Sequence, residues 1–201
     1  MIFRVNVRVK KPERVVFLDR DGTIIRDDGY LSDAGKIEVF EGAREALRKM
    51  REKGCALFLV SNQAGVAKGI IPVRAFHEVR REFERVIDPE GEIFDGFFYC
   101  LHHPEGKIPS LSFSCPCRKP GTAMVETALS FIESPPPAEK MYVVGDKYSD
   151  VLLGKRSGIK SVLVLTGYGS REKEIIDDPL GLPDFIAVDV SEAAEIILER
   201  D

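Results

Sequence analysis

Short, wholly apolar runs alternate along this chain with longer segments in which apolar residues recur every three or four positions. An apolar run of four or five residues is typical of a strand covered on both faces, and the longer segments are typical of amphipathic helices. Strands that alternate with helices form parallel sheets with helices on both sides. The sequence therefore predicts an α/β fold, a Rossmann-like three-layer sandwich with a mostly parallel sheet.

The predicted elements divide the chain into strand and helix units. Strands are predicted at residues 15–18, 56–60, 96–99, 141–144 and 161–165, with an edge strand at 185–188. Helices are predicted at residues 42–53, 73–87, 123–132, 149–157 and 191–199. Right-handed crossovers would place the loops that follow the strands along one edge of the sheet, where ligands of such folds bind.

Composition restricts the class of protein. A chain of 201 residues can form one domain without disulfides, and we expect a single domain over residues 1–201. The 29 basic and 33 acidic residues give a formal charge of -4, which offers no broad basic surface for nucleic acid. No apolar run approaches the roughly 20 residues of a membrane span, and the N-terminus lacks the apolar core of a secretory signal. We expect a cytoplasmic monomer without nucleic-acid or membrane partners.

Carboxylates follow two of the predicted strands. Asp19 and Asp21 come directly after the first strand, and Asp146 and Asp150 follow the fourth. One carboxylate at this edge can attack phosphorus, while a second exchanges a proton with the bridging oxygen and later with water. Such a group of acids repels itself unless a divalent cation is bound, and Mg²⁺ is the natural candidate. The alternatives are an acidic turn or a calcium loop, and Gly22 comes too early for the calcium loop.

Further polar residues are candidates for phosphate or substrate binding. Ser61 and Asn62 follow the second strand and could hold phosphate oxygens, although such a pair is also common in turns and helix caps. Lys119 precedes a proline, so it lies in extended or turn geometry, where its ammonium would offset the charge of the carboxylates. Lys147, next to Asp146, is a further candidate.

A second metal site is indicated by two pairs of soft ligands, Cys100 with His102 and Cys115 with Cys117. Three thiolates and one imidazole suit tetrahedral zinc, and a site with four protein ligands is structural. The zinc would hold the loop at residues 100–117, inserted after the third strand. His103 could replace His102, and reduced cysteines without metal are the alternative.

Together these residues resemble the haloacid dehalogenase superfamily of phosphotransferases. Its four motifs occur in order: Asp19-x-Asp21-Gly22-Thr23, Ser61, Lys119, and Gly145-Asp146 with Asp150. The resemblance implies a Rossmann-like core and an aspartyl-phosphate intermediate. It also implies a role for each motif residue: Asp19 as nucleophile and Mg²⁺ ligand, Asp21 as general acid and then base with its backbone carbonyl on the metal, Ser61 and Lys119 as phosphoryl ligands, Asp146 as Mg²⁺ ligand, and Asp150 as support.

The zinc loop resembles one branch of that superfamily, which contains the D-glycero-D-manno-heptose 1,7-bisphosphate phosphatases and the histidinol-phosphate phosphatase domains. The loop length is similar to that of the heptose type. No segment is long enough for a separate cap domain, so the substrate is expected to be a small phosphorylated sugar, with Arg118 contacting its second anionic or hydroxyl-rich part. The resemblance implies removal of the C7 phosphate of the heptose bisphosphate. Histidinol phosphate is the alternative substrate, and a noncatalytic zinc-stabilised binding module is the alternative of another class.

Overall fold

The computed structural model describes residues 1–6, 10–27, 29–176 and 181–199. Within these residues the strands are β1 (Ile2–Val5), β2 (Arg14–Leu18), β3 (Cys55–Asn62), β4 (Gly96–Cys100), β5 (Met141–Gly145), β6 (Lys160–Val164) and β7 (Phe185–Ala187). They form one sheet in the order β1-β4-β3-β2-β5-β6-β7. All neighbours pair in parallel except β1, which is antiparallel to β4.

Helices cover both faces of the sheet. They are α1 (Ala43–Glu52), α2 (Ala64–Ala67), α3 (Val73–Ile87), α4 (Ala123–Leu129), α5 (Tyr148–Ser157), α6 (Gly169–Ile175) and α7 (Val190–Glu199). Alternate residues of the central strand β2 enter two separate apolar clusters, one shared with α1, α3 and α7 and the other with α4 and α5. The predicted α/β fold with a mostly parallel sheet and helices on both faces is confirmed. No helix in the described part of the chain has the length and apolar character needed to cross a membrane.

The structure adds one strand and two α-helices that the sequence pattern did not predict: β1, α2 and α6. The charged residue in β1 interrupts its apolar pattern, yet the strand closes one edge of the sheet and the ring of Phe3 stacks on that of Phe98 at 5.4 Å. Strand β3 is also longer than predicted. Ser61 and Asn62 therefore lie in its last two positions rather than in the loop after it.

The order of the strands determines where the acidic residues meet. Strands β2 and β5 are parallel neighbours, and the backbone N–H of Asp19 donates to the carbonyl of Val144 at 2.9 Å. Gly22 then turns with φ of +82°, and a Cβ atom there would lie 2.1 Å from Asp146 Oδ2. Only glycine fits this position. The turn after β2 is therefore packed directly against the acidic end of β5.

Candidate active site and metal centres

Three buried carboxylates and one buried lysine form the centre of the site. Asp19, Asp146 and Asp150 each place an oxygen within 4.8 Å of the others. The ammonium of Lys119 lies 2.8 Å from Asp19 Oδ1 and 2.6 Å from Asp150 Oδ1. Lys119 is only 3% exposed, so these ion pairs are shielded from water. The lysine and the two acid-bearing strand ends thus meet at one point.

Burial and mutual repulsion shift the protonation of these acids. Burial raises the pKa of Asp146 to about 8, with Asp19 and Asp150 adding to the rise and Lys147 opposing it. Burial likewise raises the pKa of Asp150 to about 6, against the effect of Lys119. Burial also acts to raise the pKa of Asp19, but Lys119 and Lys147 outweigh it and hold that pKa below its usual value. Asp19 is therefore the most readily ionised of the three acids and suits a nucleophile.

The same group fits a divalent cation. Asp146 Oδ2 accepts the backbone N–H of Tyr168 at 2.8 Å, whereas Asp146 Oδ1 is buried and has no hydrogen-bond partner in the described structure. A buried carboxylate oxygen without a partner is costly unless a cation binds it. An all-oxygen set of ligands suits Mg²⁺. Asp150 is different, because its Oδ1 is already paired with Lys119 and its Oδ2 accepts the backbone N–H of Lys147 at 3.2 Å.

Asp21 lies to one side of this group, and its carboxylate is held by two residues. Arg20 donates from Nε and Nη2 to the two carboxylate oxygens, each at 2.9 Å, and Gln63 Nε2 donates to Oδ2 at 2.8 Å. Sequence reasoning missed both residues. The only signals were an arginine between two acids and a glutamine two positions after Ser61, and neither is informative without the fold.

The residues predicted to bind phosphate have different surroundings. Ser61 is fully buried, and its Oγ accepts from Gln63 Nε2 at 2.9 Å. The side-chain amide of Asn62 makes two hydrogen bonds with the backbone of Lys119. Its Oδ1 accepts from the N–H of Lys119 at 3.0 Å, and its Nδ2 donates to the carbonyl of Lys119 at 3.2 Å. The side-chain contacts of Asn62 are thus with the segment that carries Lys119.

A cavity of about 340 Å³ opens above the carboxylates. Of the predicted site residues, those that line it are Asp19, Asp21, Asn62, Arg118, Lys119 and Lys147. Lys147 Nζ pairs with Asp27 at 2.9 Å and lies 4.6 Å from the ring centroid of Tyr168. Tyr30 and Lys68, which were not in the predicted site, also line the cavity and share a 3.0 Å hydrogen bond. The wall of the cavity therefore carries several positively charged side chains.

Relatives of known type identify the family. The D-glycero-β-D-manno-heptose-1,7-bisphosphate 7-phosphatase of Haemophilus ducreyi is 37% identical over 157 residues, covering 77% of this chain and 85% of that protein. The protein of the same name from Pasteurella multocida is 33% identical over 186 residues, covering 92% and 97%. Residues 116–193 also match the HAD-hydrolase-like family model. This chain belongs to the heptose-bisphosphate phosphatase family of the haloacid dehalogenase superfamily. It is a phosphatase.

Solved structures give the same haloacid dehalogenase fold. The D,D-heptose 1,7-bisphosphate phosphatase of B. bronchiseptica, crystallised with magnesium and phosphate, has a TM-score of 0.77 and 24% identity, covering 92% of this chain and 98% of its own. A HAD-like protein of Mesorhizobium loti also has a TM-score of 0.77, with 29% identity over 98% of this chain and 93% of its own. The fold of this chain is thus shared over nearly its whole length.

The soft ligands of the loop after β4 also come together. Their ligand atoms lie within 4.8 Å of one another: Cys100, His102, Cys115 and Cys117. His102 Nδ1 is 3.7 Å from Cys100 Sγ and 3.5 Å from Cys117 Sγ, close to the separation of about 3.5 Å expected for sulfur and nitrogen ligands around one zinc. The sulfurs of Cys115 and Cys117 are 2.9 Å apart, and both cysteines are free. This cluster could hold a metal ion such as zinc.

The two histidines of the loop differ in their contacts. His103 Nδ1 accepts the backbone N–H of Glu105 at 3.1 Å, on the exposed side of the loop. Burial lowers the pKa of His102, which favours the neutral imidazole that a metal requires. A hydrogen bond with Cys117 lowers the pKa of the Cys100 thiol, which favours the thiolate. The structure therefore places His102, and not His103, with the cysteines.

Proposed function

We propose that this phosphatase removes the C7 phosphate of D-glycero-D-manno-heptose 1,7-bisphosphate, through an aspartyl-phosphate at Asp19 and with Mg²⁺ as cofactor. The observation that carries the reaction type is the position of ionised Asp19, beside buried Lys119 and the unpartnered oxygen of Asp146, at the base of the cavity. The substrate is inferred from the names of relatives more than 30% identical over most of the chain.

In the proposed reaction, a carboxylate oxygen of Asp19 attacks phosphorus as the bond from phosphorus to the sugar oxygen breaks. Asp21 gives its proton to that oxygen, which leaves as the alcohol. Asp21 then takes a proton from water, which attacks the aspartyl-phosphate and releases inorganic phosphate and free Asp19. Lys119 and Ser61 hold the phosphoryl oxygens. Mg²⁺ held by Asp19, Asp146 and the backbone carbonyl of Asp21 would supply positive charge against the repulsion between carboxylate and phosphate.

The charges of the cavity support a substrate with a second anionic group. Three lining cations are paired with carboxylates, namely Arg20, Lys119 and Lys147. Arg118 and Lys68 have no carboxylate within 4.0 Å among the described residues, and Arg118 contacts the backbone carbonyl of His102 at 3.5 Å. Two uncompensated cations attract a second phosphate and repel the amine of histidinol phosphate. We assign Arg118 to this second phosphate and Lys147 to the sugar or the transferred phosphoryl group.

The Cys100, His102, Cys115 and Cys117 cluster is proposed to bind one structural zinc ion, because all four coordination positions would be filled by protein. The predicted single domain over residues 1–201 is part of this proposal. The monomeric state, the cytoplasmic location and the lack of nucleic-acid partners stay predictions from the sequence.

The proposed substrate is tested by comparing kcat/KM for the heptose bisphosphate and for histidinol phosphate with Mg²⁺ present. We expect the heptose bisphosphate to be preferred and one phosphate to be released from each molecule. A preference of more than about tenfold for histidinol phosphate would reverse the choice of substrate. Asp19→Asn should abolish hydrolysis of both substrates while the fold and the zinc content remain, and Asp33→Asn, an exposed change, serves as the control.

A further inference from the structure

The contacts of Asp21 occupy both oxygens of its carboxylate. Arg20 reaches Oδ1 through Nε and Oδ2 through Nη2, each at 2.9 Å, which is the parallel two-bond geometry that fixes the plane of a carboxylate. Gln63 adds a third bond to Oδ2 at 2.8 Å. The side chain of Asp21 is 16% exposed, on the wall of the cavity. Its orientation toward the cavity is therefore set by these two neighbours.

Both neighbours are themselves fixed. Arg20 is 1% exposed, its guanidinium lies 5.8 Å from the centre of the Phe83 ring, and Nη2 also donates to Gln63 Oε1 at 3.1 Å. Gln63 is 5% exposed and donates to both Asp21 and Ser61 Oγ. The amide of Gln63 thus links the proposed acid and base to the hydroxyl proposed to bind phosphate.

The burial of Arg20 is unfavourable for folding. Its Nη1 is buried and has no hydrogen-bond partner in the described structure, which costs free energy of folding. An apolar side chain in this position, against the ring of Phe83, would avoid that cost. A buried arginine that leaves one nitrogen unpaired is more readily explained by a role in the site.

We infer that Arg20 and Gln63 are positioning residues that hold the carboxyl group of Asp21 in line with the departing oxygen of the substrate. The inference rests on the proposed role of Asp21 as general acid and base. Proton transfer depends steeply on the direction and distance of the donor, so loss of either contact lowers the rate of the step in which the alcohol leaves. Neither residue touches the substrate in this assignment.

The test uses two substrates that differ in their need for a proton. The sugar oxygen of the heptose bisphosphate must be protonated as it leaves, whereas p-nitrophenyl phosphate releases a stable anion that needs no proton. The constant kcat/KM covers the reaction up to departure of the leaving group, so it excludes the later attack of water. A defect confined to the position of Asp21 therefore lowers kcat/KM for the sugar phosphate alone.

The variants are Arg20→Met and Gln63→Met. Methionine has the length of glutamine and replaces the aliphatic part of arginine, and it removes the hydrogen bonds of both side chains. Asp21→Asn gives the reference value of kcat/KM for loss of the proton donor. For the sugar phosphate this value is expected to be about 10²-fold to 10⁴-fold below that of the wild type. Both methionine variants should lose at least about tenfold more on the sugar phosphate than on p-nitrophenyl phosphate, because any loss through Ser61 in Gln63→Met affects the two substrates equally. Arg20→Lys keeps the charge without the two-bond geometry and should restore only part of the loss.

The matched control is Arg80→Met, which removes another arginine paired with a buried carboxylate, that of Glu84, and has no contact with Asp21. Arg80→Met should leave kcat/KM unchanged for both the sugar phosphate and p-nitrophenyl phosphate. Equal losses on the two substrates in both methionine variants would show a structural role and overturn the inference. If Arg20→Met does not fold, Gln63→Met alone decides. If Asp21→Asn itself fails to distinguish the substrates, the role of Asp21 is wrong rather than the positioning of its side chain.

Discussion

Asp146→Asn is expected to stabilise the metal-free protein and to remove its response to Mg²⁺. Burial raises the pKa of Asp146 to about 8, from an ordinary value of 3.8. Because the folded state then binds a proton that the unfolded chain has released, stability falls as the pH rises from about 4 to 8. At about 1.4 kcal/mol for each pH unit, this carboxyl costs the metal-free protein on the order of 4 kcal/mol at pH 7. Asparagine has the same shape and no such cost.

The assay is urea unfolding of both proteins between pH 5 and pH 8, after desalting into buffer without Mg²⁺ and without chelator, so that any bound zinc is retained. The variant should already exceed the wild type by about 1 to 2 kcal/mol near pH 5, and the difference should grow to about 4 kcal/mol at pH 7 and further toward pH 8. Saturating Mg²⁺ should then stabilise the wild type and leave the variant unchanged. Asp33→Asn, at an exposed position, controls for the loss of one charge. Parallel stability curves for wild type and Asp146→Asn would refute the assignment of an unpaired, proton-binding carboxyl.

Three further predictions test other parts of the structure. Cys115→Ser should reduce bound zinc from about one equivalent and lower the melting temperature, as measured by metal analysis and calorimetry, and a wild-type protein that never contains zinc would contradict the cluster's role. Arg118→Met should raise KM for the heptose bisphosphate by about tenfold or more, with little change for p-nitrophenyl phosphate, and equal changes would place the second phosphate elsewhere. Asp184→Asn should destabilise the fold by about 1 to 3 kcal/mol at pH 7 because it weakens bonds to Lys155 and Ser161. Those bonds hold the pKa of Asp184 below its usual value against the opposing effect of burial, so the difference from wild type should shrink as the pH falls below about 4, and a difference that is constant with pH would count against the ion pair.

The sequence predicted the parts of the fold that are specified by local pattern. Apolar runs located six of the strands, because a strand covered on both faces must be apolar throughout. Strand β1 was missed because an edge strand tolerates polar residues on its exposed side, which removes the signal. Helix α2 has only four residues and was too short to show a period, and α6 is almost entirely polar, so it has no apolar period.

For the site, the sequence predicted the residues whose chemistry is visible in their type and order. It named the acids and the lysine that the structure brings together, and it left His102 and His103 as alternatives that the distances separate. Arg20 and Gln63 could not be predicted, because their relation to Asp21 depends on the turn after β2 facing the end of β3. The contacts of Asn62 with the backbone of Lys119 join residues 57 positions apart and likewise require the fold.

Cys117 is followed at once by Arg118 and Lys119, so a ligand of the cysteine cluster is only two residues, about 7 Å of chain, from the buried lysine of the active site. An insertion in that short segment would displace the lysine from Asp19 and Asp150. The stretch between His102 and Cys115 carries no such restriction, because both of its ends are anchored in the cluster. Changes of length among relatives are therefore expected at residues 103–114, where they leave the reaction centre in place.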